Sequence, residues 1–286
     1  MDLNTRQERR FTASIPLVTI VTPCFNSAAF IEHTINSVAN QTYSRIEHIV
    51  VDAGSTDGTV DIIKRNEKSI SLWVSEPDAG QADAIRKGFF MSSGEILAWI
   101  NADDVYPEDA VETAVAELLR SPVDVVYGNR GLIDSEGQRI GERRLTPFLS
   151  HFSRKGMLYG GFGVYQPASF WRRDLYFDVG GIDPSFQFSM DTDLFVRFAM
   201  ADAHFEFIPK ELVQFRVHAS SKTSTSQDVA REEWRRISAS VPPRQFWYRW
   251  FIRTVCRSWK VFYHLKESRG RYLFKLLTDR QYRFVP

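Results

Sequence analysis

At 286 residues, the chain is long enough for one large α/β domain with an extension and can bury a sizeable core without covalent staples. Its two cysteines, Cys24 and Cys256, match neither a zinc-ligand spacing nor a redox CxxC, which excludes a disulfide scaffold and points to buried structural thiols in a reducing cytosol. The formal net charge of +1 conceals 14 Lys and Arg against 4 acids between Arg231 and Pro286, a local balance of +10 that leaves the rest of the chain acidic by nine.

Residues 1–14 are polar and charged with no apolar h-region, and no run of ~18 apolar residues occurs that could span a bilayer. The expectation is a flexible start, no cleaved export signal and no integral span. From there, apolar runs rich in β-branched residues alternate with helical patterns, the signature of βα units and a mostly parallel sheet. Strands are expected at 17–22, 46–52 and 96–100, with helices at 29–41 and 59–66. In open α/β sheets ligands bind outside the carboxyl ends of the strands, so the loops that follow these runs are the places to look for chemistry.

After the first strand, Pro23 and Asn26 shape a turn, a weak signal by itself. The second strand closes on Asp52, followed by Gly54 and the small hydroxyls of Ser55 and Thr56, then Asp57. A carboxylate at Asp52 can accept hydrogen bonds from a nucleobase imide or a ribose hydroxyl, whereas Ser55, Thr56 and Asp57 suit helix capping. The third loop carries Asp78, Gln81, Asp83 and Lys87. Asp83 and Lys87 stand at i,i+4, the spacing of a surface ion pair, yet a Lys or Arg there can also meet a diphosphate. The fourth loop, Asn101-Ala102-Asp103-Asp104, follows a buried strand. Carboxylates at that place can hold Mg²⁺ or Mn²⁺, hard ions that take a carboxylate or two plus substrate phosphates. Capping by Asp104 or Tyr106 before Pro107 is the competing explanation for part of it, but it does not account for Asn101 and Asp103.

With these four loops in order, the chain resembles the nucleotide-sugar transferases of glycosyltransferase family two, from about Pro16 to His218. The matching elements are the opening strand with Pro23 and Asn26, Val-Asp-x-Gly-Ser-Thr-Asp-Gly-Thr, Asp-x-Gly-x-x-Asp-Ala-x-x-Lys-Gly, and Asn-x-Asp-Asp where the family has its DxD metal motif. The resemblance implies a GT-A fold: a Rossmann-like nucleotide-sugar half at 15–120 and an acceptor half at 121–220 around a mixed sheet, then a helical extension at 221–286. It places Pro23, Asn26, Asp52 and Gly54 against the nucleotide sugar, with Asp78, Gln81, Asp83 and Lys87 from the third loop and Asn101, Ala102 and Asp103 from the fourth. It also implies inversion at the anomeric carbon, with a carboxylate taking the acceptor's proton; the match is Asp191, while Asp193 caps the helix or orients its neighbours. Phe215-Arg216-Val217-His218 is similar to the late Arg-x-His segment, so His218 is either a ligand to the metal beside Asp103 or a packed surface histidine. Mn²⁺ or Mg²⁺ is the implied cofactor. UDP is the default nucleotide by family habit, and the acceptor is a hydroxyl of a glycan or lipid-linked molecule. Two departures stand out: Asn101 replaces the first DxD acid, and Met190 stands where many relatives carry Glu.

Around 121–220 short strands are expected, as at 123–127 and 205–208, and residues 220–226 read as a linker. Beyond it, 245–263 is basic and aromatic, with Arg249, Arg253 and Arg257 on one helical face. Such a segment lies in a bilayer interface with anionic headgroups, giving a peripheral location on the cytoplasmic face, or packs on the catalytic domain. No recognition motif accompanies the charge, so nucleic acid is not an expected partner. A nucleotidyltransferase would need a Gly-rich loop near the N-terminus, and a hydride-transferring enzyme a GxGxxG after the first strand; both are missing. The other reading is a catalytically silent sugar-nucleotide binder or assembly scaffold, for which Asn101 is the main support.

Overall fold

The computed structural model describes residues 15–120, 122–143, 158, 164–218, 227–241, 251–252, 254–255 and 258. The expected flexible start, the linker and most of 245–263 lie outside the described residues.

The chain begins with β1 (Val18–Cys24), α1 (Ile31–Ala39), β2 (Ile46–Asp52), α2 (Thr59–Arg65), β3 (Leu72–Ser75), α3 (Gln81–Met91), β4 (Ile96–Trp99) and α4 (Ala110–Arg120). β1 pairs in parallel with β2 and β4, and β2 with β3. Every residue of β1 is buried, as a parallel strand covered on both faces requires. The second half contributes β5 (Val125–Ile133), β6 (Arg139–Arg143), β7 (Ser169–Arg172), α5 (Arg173–Asp178), α6 (Met190–Met200), β8 (Phe205–Arg216) and α7 (Gln227–Ser240). The strands run β3-β2-β1-β4-β7-β5-β6, with β8 along β5. β7 is antiparallel to both β4 and β5, so the sheet changes from parallel to mixed where the second half begins. The expected short strands are longer than their apolar signal: β5 and β8 extend to 9 and 12 residues because they pair along their whole length, which compensates for polar positions such as Asn129 and Glu211.

The pleat sorts the core into two layers. Val21, Ile49, Val51, Leu97, Trp99, Val125, Tyr127 and Trp171 face α3, α5 and α6, while Val18, Ile20, Ile96, Ala98, Val126 and Phe170 face α4 and its surroundings. Trp99 and Trp171 meet edge to face at 5.5 Å, a favourable arrangement of ring quadrupoles. α3 lies so close to β1 that a Cβ on Gly88 would stand 2.5 Å from Val21 Cγ1; only glycine permits that approach. Ile237 and Val241 of the α7 region, and Ile252, belong to the same layer as α3 and α6, so part of the extension completes the core.

His48 on β2 is buried in this sheet. Its Nε2 lies 2.9 Å from Thr22 Oγ1, and its Nδ1 has no hydrogen-bond partner among the described residues. Burial pushes its pKa down from 6.5 to about 4. Because the folded value is below the unfolded one, this contribution to stability is complete above pH 6.5 and drains away as pH falls toward 4, by on the order of 3 kcal/mol. We expect the unfolding free energy of the wild type to drop more between pH 7 and pH 4.5 than that of His48→Leu in parallel denaturant titrations. Identical pH dependence in the two would contradict the assignment.

Candidate functional site

The loops at the carboxyl ends of β1 and β2 are knitted together before any ligand arrives. Asn26, held in the left-handed region at φ 48°, accepts from Thr56 N at 3.0 Å on its Oδ1 and donates its own N–H to Ser55 Oγ at 2.7 Å. Asp57 accepts from Ala28 N and Thr59 N, both at 3.0 Å, so it tethers the start of α2 to the first loop, but the N-cap position itself is Gly58, with no side-chain capping bond. Ser55 and Thr56 instead serve the loop. Pro23 is buried inside β1, paired with Val51.

Asp52 is fully enclosed. Its Oδ2 accepts from Gly54 N at 3.1 Å, Ser55 N at 3.0 Å and Ser75 Oγ at 2.6 Å, and its Oδ1 from the Ser55 hydroxyl and, at 3.6 Å, Cys24 Sγ. These bonds allow a carboxylate to stay buried and make Asp52 the organiser of the loop, with Gly54 at φ 79° supplying the turn. The Cys24 thiol is pushed well above its ordinary range by burial and then by Asp52, the inert buried thiol that the composition suggested. Cys256 lies outside the described residues.

Asp78 differs. Its Oδ1 accepts from Gly80 N at 2.8 Å, but its Oδ2 is buried with no hydrogen-bond partner among the described residues. A buried acceptor left open costs free energy unless a ligand donor fills it. Asp83, in the first turn of α3, reaches back to Ala79 N at 3.2 Å. Lys87 does not pair with Asp83 as the i,i+4 spacing suggested; its Nζ lies 2.7 Å from Glu76, because the strand-to-helix loop folds back over α3.

At the end of β4, Asn101 is a bridge. Its Oδ1 accepts from Gln81 Nε2 at 2.9 Å, and its Nδ2 donates to Asp104 Oδ2 at 3.2 Å. Asp104 is not a helix cap: α4 starts only at Ala110, and the fully buried Asp104 carboxylate takes Arg216 N at 3.0 Å on its other oxygen. Burial, reinforced by the neighbouring Asp103 charge, raises its pKa well above the usual range. An acid at position 101 would replace a donor with a second charge. We expect Asn101→Asp to destabilise the fold by about 1–3 kcal/mol at pH 7. The loss should shrink as the pH is lowered and a carboxyl takes up a proton; equal melting temperatures at pH 7 would contradict this.

Asp103 and His218, far apart in sequence, come together with Oδ2 and Nε2 2.9 Å apart. Arg216, 1% exposed, fixes the backbone on the Asp103 side of this pair. It donates to the Asp103 carbonyl at 2.8 Å and the Asp134 carbonyl at 2.9 Å, with its guanidinium 5.0 Å from the Phe30 ring centroid; the same ring packs on His218 at 4.7 Å. Thr34 Oγ1 fixes the Ala102 carbonyl at 2.9 Å. A divalent ion would find one carboxylate and one imidazole here, both partly exposed. This donor set fits a hard ion that completes its shell with diphosphate oxygens and water. Among the described residues no three His, Cys, Asp or Glu side chains converge, so the protein alone does not make a closed cage.

Asp191 lies in the first turn of α6 and accepts from Thr192 N at 2.7 Å. Burial raises its pKa above the ordinary carboxylate range. Asp193 makes no capping bond; it pairs with Arg197 at 2.6 Å, which in turn donates to the Val179 carbonyl at 2.7 Å. The loop before α6 reaches the donor side: a Cβ on Gly80, at φ 117°, would stand 3.3 Å from Gln187 Oε1. The third, fourth and acceptor loops thus meet at one end of the sheet. Residue patterns missed Thr34, Gln187 and Glu233, since nothing in their neighbours marks them; Arg216 was visible only as part of its motif.

The profile of glycosyl transferase family 2 matches residues 19–180. An uncharacterized glycosyltransferase of Mycobacterium tuberculosis is 33% identical over 190 residues, 65% of this chain and 70% of that protein. Among solved structures, Staphylococcus aureus TarS 1-349 in complex with UDP-GlcNAc superposes with a TM-score of 0.63 at 17% identity, covering 92% of this chain and 76% of that one. The mannosyltransferase PcManGT of Pyrobaculum calidifontis, in complex with GDP-Man and Mn²⁺, gives 0.62 at 18% identity over 98% and 87%. Against the longer TarS chain this protein spans 41% of the length. Mixed sheet, loop order and matched profile agree: the chain belongs to glycosyl transferase family 2 and is a glycosyltransferase of the GT-A fold.

Proposed function

We propose that the protein is an inverting hexosyltransferase-type enzyme that moves a sugar from a nucleoside diphosphate sugar, UDP-linked by preference, to a hydroxyl of a glycan or lipid-linked acceptor in polysaccharide or glycoconjugate synthesis. The observation that carries this reading is the Asp103–His218 pair at the end of β4, beside a third loop that is bonded to Asn101 through Gln81 and approaches the loop before Asp191 at Gly80 and Gln187. In it, the Oδ2 of Asp78, buried and without a partner among the described residues, accepts an N–H of the nucleobase, a role given from sequence to the enclosed Asp52. Asp103 and His218 would hold Mn²⁺ or Mg²⁺ at the diphosphate end, and such an ion would supply positive charge to offset the charge developing on the leaving diphosphate. The acceptor oxygen attacks the anomeric carbon, the bond to the diphosphate oxygen breaks, and Asp191 takes the hydroxyl proton.

No helix among the described residues is long and apolar enough to cross a membrane. In the 245–263 segment Ile252 is buried in the core while Phe251 is 53% exposed. That apolar ring in solvent, together with Arg249, Arg253 and Arg257 in the same stretch of sequence, supports contact with an anionic membrane surface, where a lipid-linked acceptor would be met.

The test is a panel of UDP, GDP and dTDP with their sugars, with and without Mn²⁺, following melting temperature and slow donor hydrolysis. Metal-dependent stabilisation and hydrolysis with one nucleotide class support the reading. Stabilisation without any hydrolysis or transfer favours the silent binder, and no stabilisation by any nucleotide rejects donor binding.

A further inference from the structure

Three backbone amides lead into α6, those of Gln187, Phe188 and Ser189, and all three donate to the carboxylate of Glu233 on α7. Gln187 N reaches Oε1, while Phe188 N at 3.0 Å and Ser189 N at 2.7 Å reach Oε2. Glu233 is 4% exposed, lies 44 residues beyond Ser189 and falls outside the segment that the family profile matches. A carboxylate is stable in such a place only when hydrogen bonds replace its water. The N-cap amide of Ser189 and the two amides of the turn that leads into it, near the positive end of the helix dipole, provide them. On the next turn of α7, Arg236 donates to Ser185 Oγ at 2.8 Å and stands 4.3 Å from the Phe186 ring centroid. Ile237 anchors α7 in the core. Thus one helix grips the loop on which Asp191 depends, from 185 to 189.

We propose that Glu233 is a positioning residue for sugar transfer: by holding the amides of residues 187–189 it sets the place of Asp191, and it keeps a fixed negative charge behind that carboxylate. This rests on the reading of Asp191 as the base. The other charged groups around this turn are matched: Asp193 by Arg197 on α6, and Asp183, ahead of the loop, by Arg197 and by Arg236 of α7. Glu233 adds to the effect of burial in raising the Asp191 pKa. The requirement for a charge, rather than a well-shaped acceptor, separates this role from plain scaffolding.

The experiment uses the full chain with Glu233→Ala, Glu233→Gln and Asp191→Asn, and as probe whichever of UDP-GlcNAc, UDP-glucose and GDP-mannose the wild type hydrolyses. Amide exchange by mass spectrometry over residues 185–193 should rise at least about tenfold in Glu233→Ala, with kcat falling and the donor KM nearly unchanged. Glu233→Gln keeps one acceptor oxygen for Phe188 N and Ser189 N but turns an NH2 toward Gln187 N, so it should recover only part of the protection, and it should move the acid limb of the pH–rate profile to lower pH, because removing the charge lowers the Asp191 pKa. An unchanged exchange rate in folded Glu233→Ala, or an unmoved acid limb in Glu233→Gln, overturns the proposal; if the alanine variant does not fold, the glutamine variant decides. Failure of the underlying reading looks different: Asp191→Asn would then keep the wild-type rate, and Glu233 would lose its catalytic role with it.

Discussion

Replacing Asp191, the proposed base, with asparagine is expected to lower sugar transfer by about 10²- to 10⁴-fold while leaving nucleotide binding and the fold intact. The side chains have nearly the same shape, and the carboxamide oxygen can still accept from Thr192 N, now 2.7 Å from the carboxylate. What disappears is the proton acceptor. Burial raises the pKa of Asp191, which makes it a stronger base than an exposed aspartate and moves the acid limb of the rate profile above the usual carboxylate range. The same shift has a stability consequence of opposite sign. An acid whose folded pKa exceeds its unfolded value destabilises the fold once ionised, and that penalty is relieved as pH falls. Asp191→Asn should therefore melt no lower than wild type at pH 7, the behaviour of a residue kept for chemistry. Steady-state rates with the best donor, read beside melting curves, check both parts; a variant that keeps more than about a tenth of the rate would reject Asp191 as base.

If Asp103 holds the metal as proposed, Asp103→Ala is expected to remove the metal-dependent part of donor binding. In the wild type, a nucleotide with Mn²⁺ at about 100 times its Kd should stabilise the fold by about 2.7 kcal/mol, a rise of several degrees for a chain of this size. The variant leaves His218 as the only protein ligand of the proposed pair, and that rise should vanish. The ligand-free protein should hardly change. Losing the partly exposed contact with His218 costs little, and removing the Asp103 charge eases the buried Asp104 carboxylate that it opposes. Retention of the Mn²⁺-dependent rise would move the metal elsewhere or remove it from the mechanism.

Glu233 and Asp104 show how differently acids of similar appearance in the sequence are used. Asp104 sits beside Asp103 and seemed fit for a helix cap, yet it is enclosed by Arg216 N and Asn101. Glu233 sits among arginines in what looked like an appendage, yet it holds the loop before Asp191. Asn101, which from sequence looked like a weakened metal ligand, is the donor that the buried Asp104 needs. In each case the decisive partner is distant in the chain: Arg216 is 112 residues from Asp104, and no local periodicity carries that information.

The parallel half was legible because its signals are local. Continuous β-branched runs bounded by polar loops specify buried parallel strands, and motif order places Asp103 and Asp191 at strand and helix ends whatever the details of packing. Strand lengths in the second half were underestimated because pairing along β5 outweighs the polar residues within β5 and β8. By itself the sequence determined the α/β class and the family. Only the tertiary structure decided which buried carboxylates are satisfied, as Asp52 and Asp104 are, and which keep a buried oxygen without a partner among the described residues, as Asp78 does. The reason is physical: whether a buried acid is satisfied depends on donors brought by other segments, and that is settled when the layers pack.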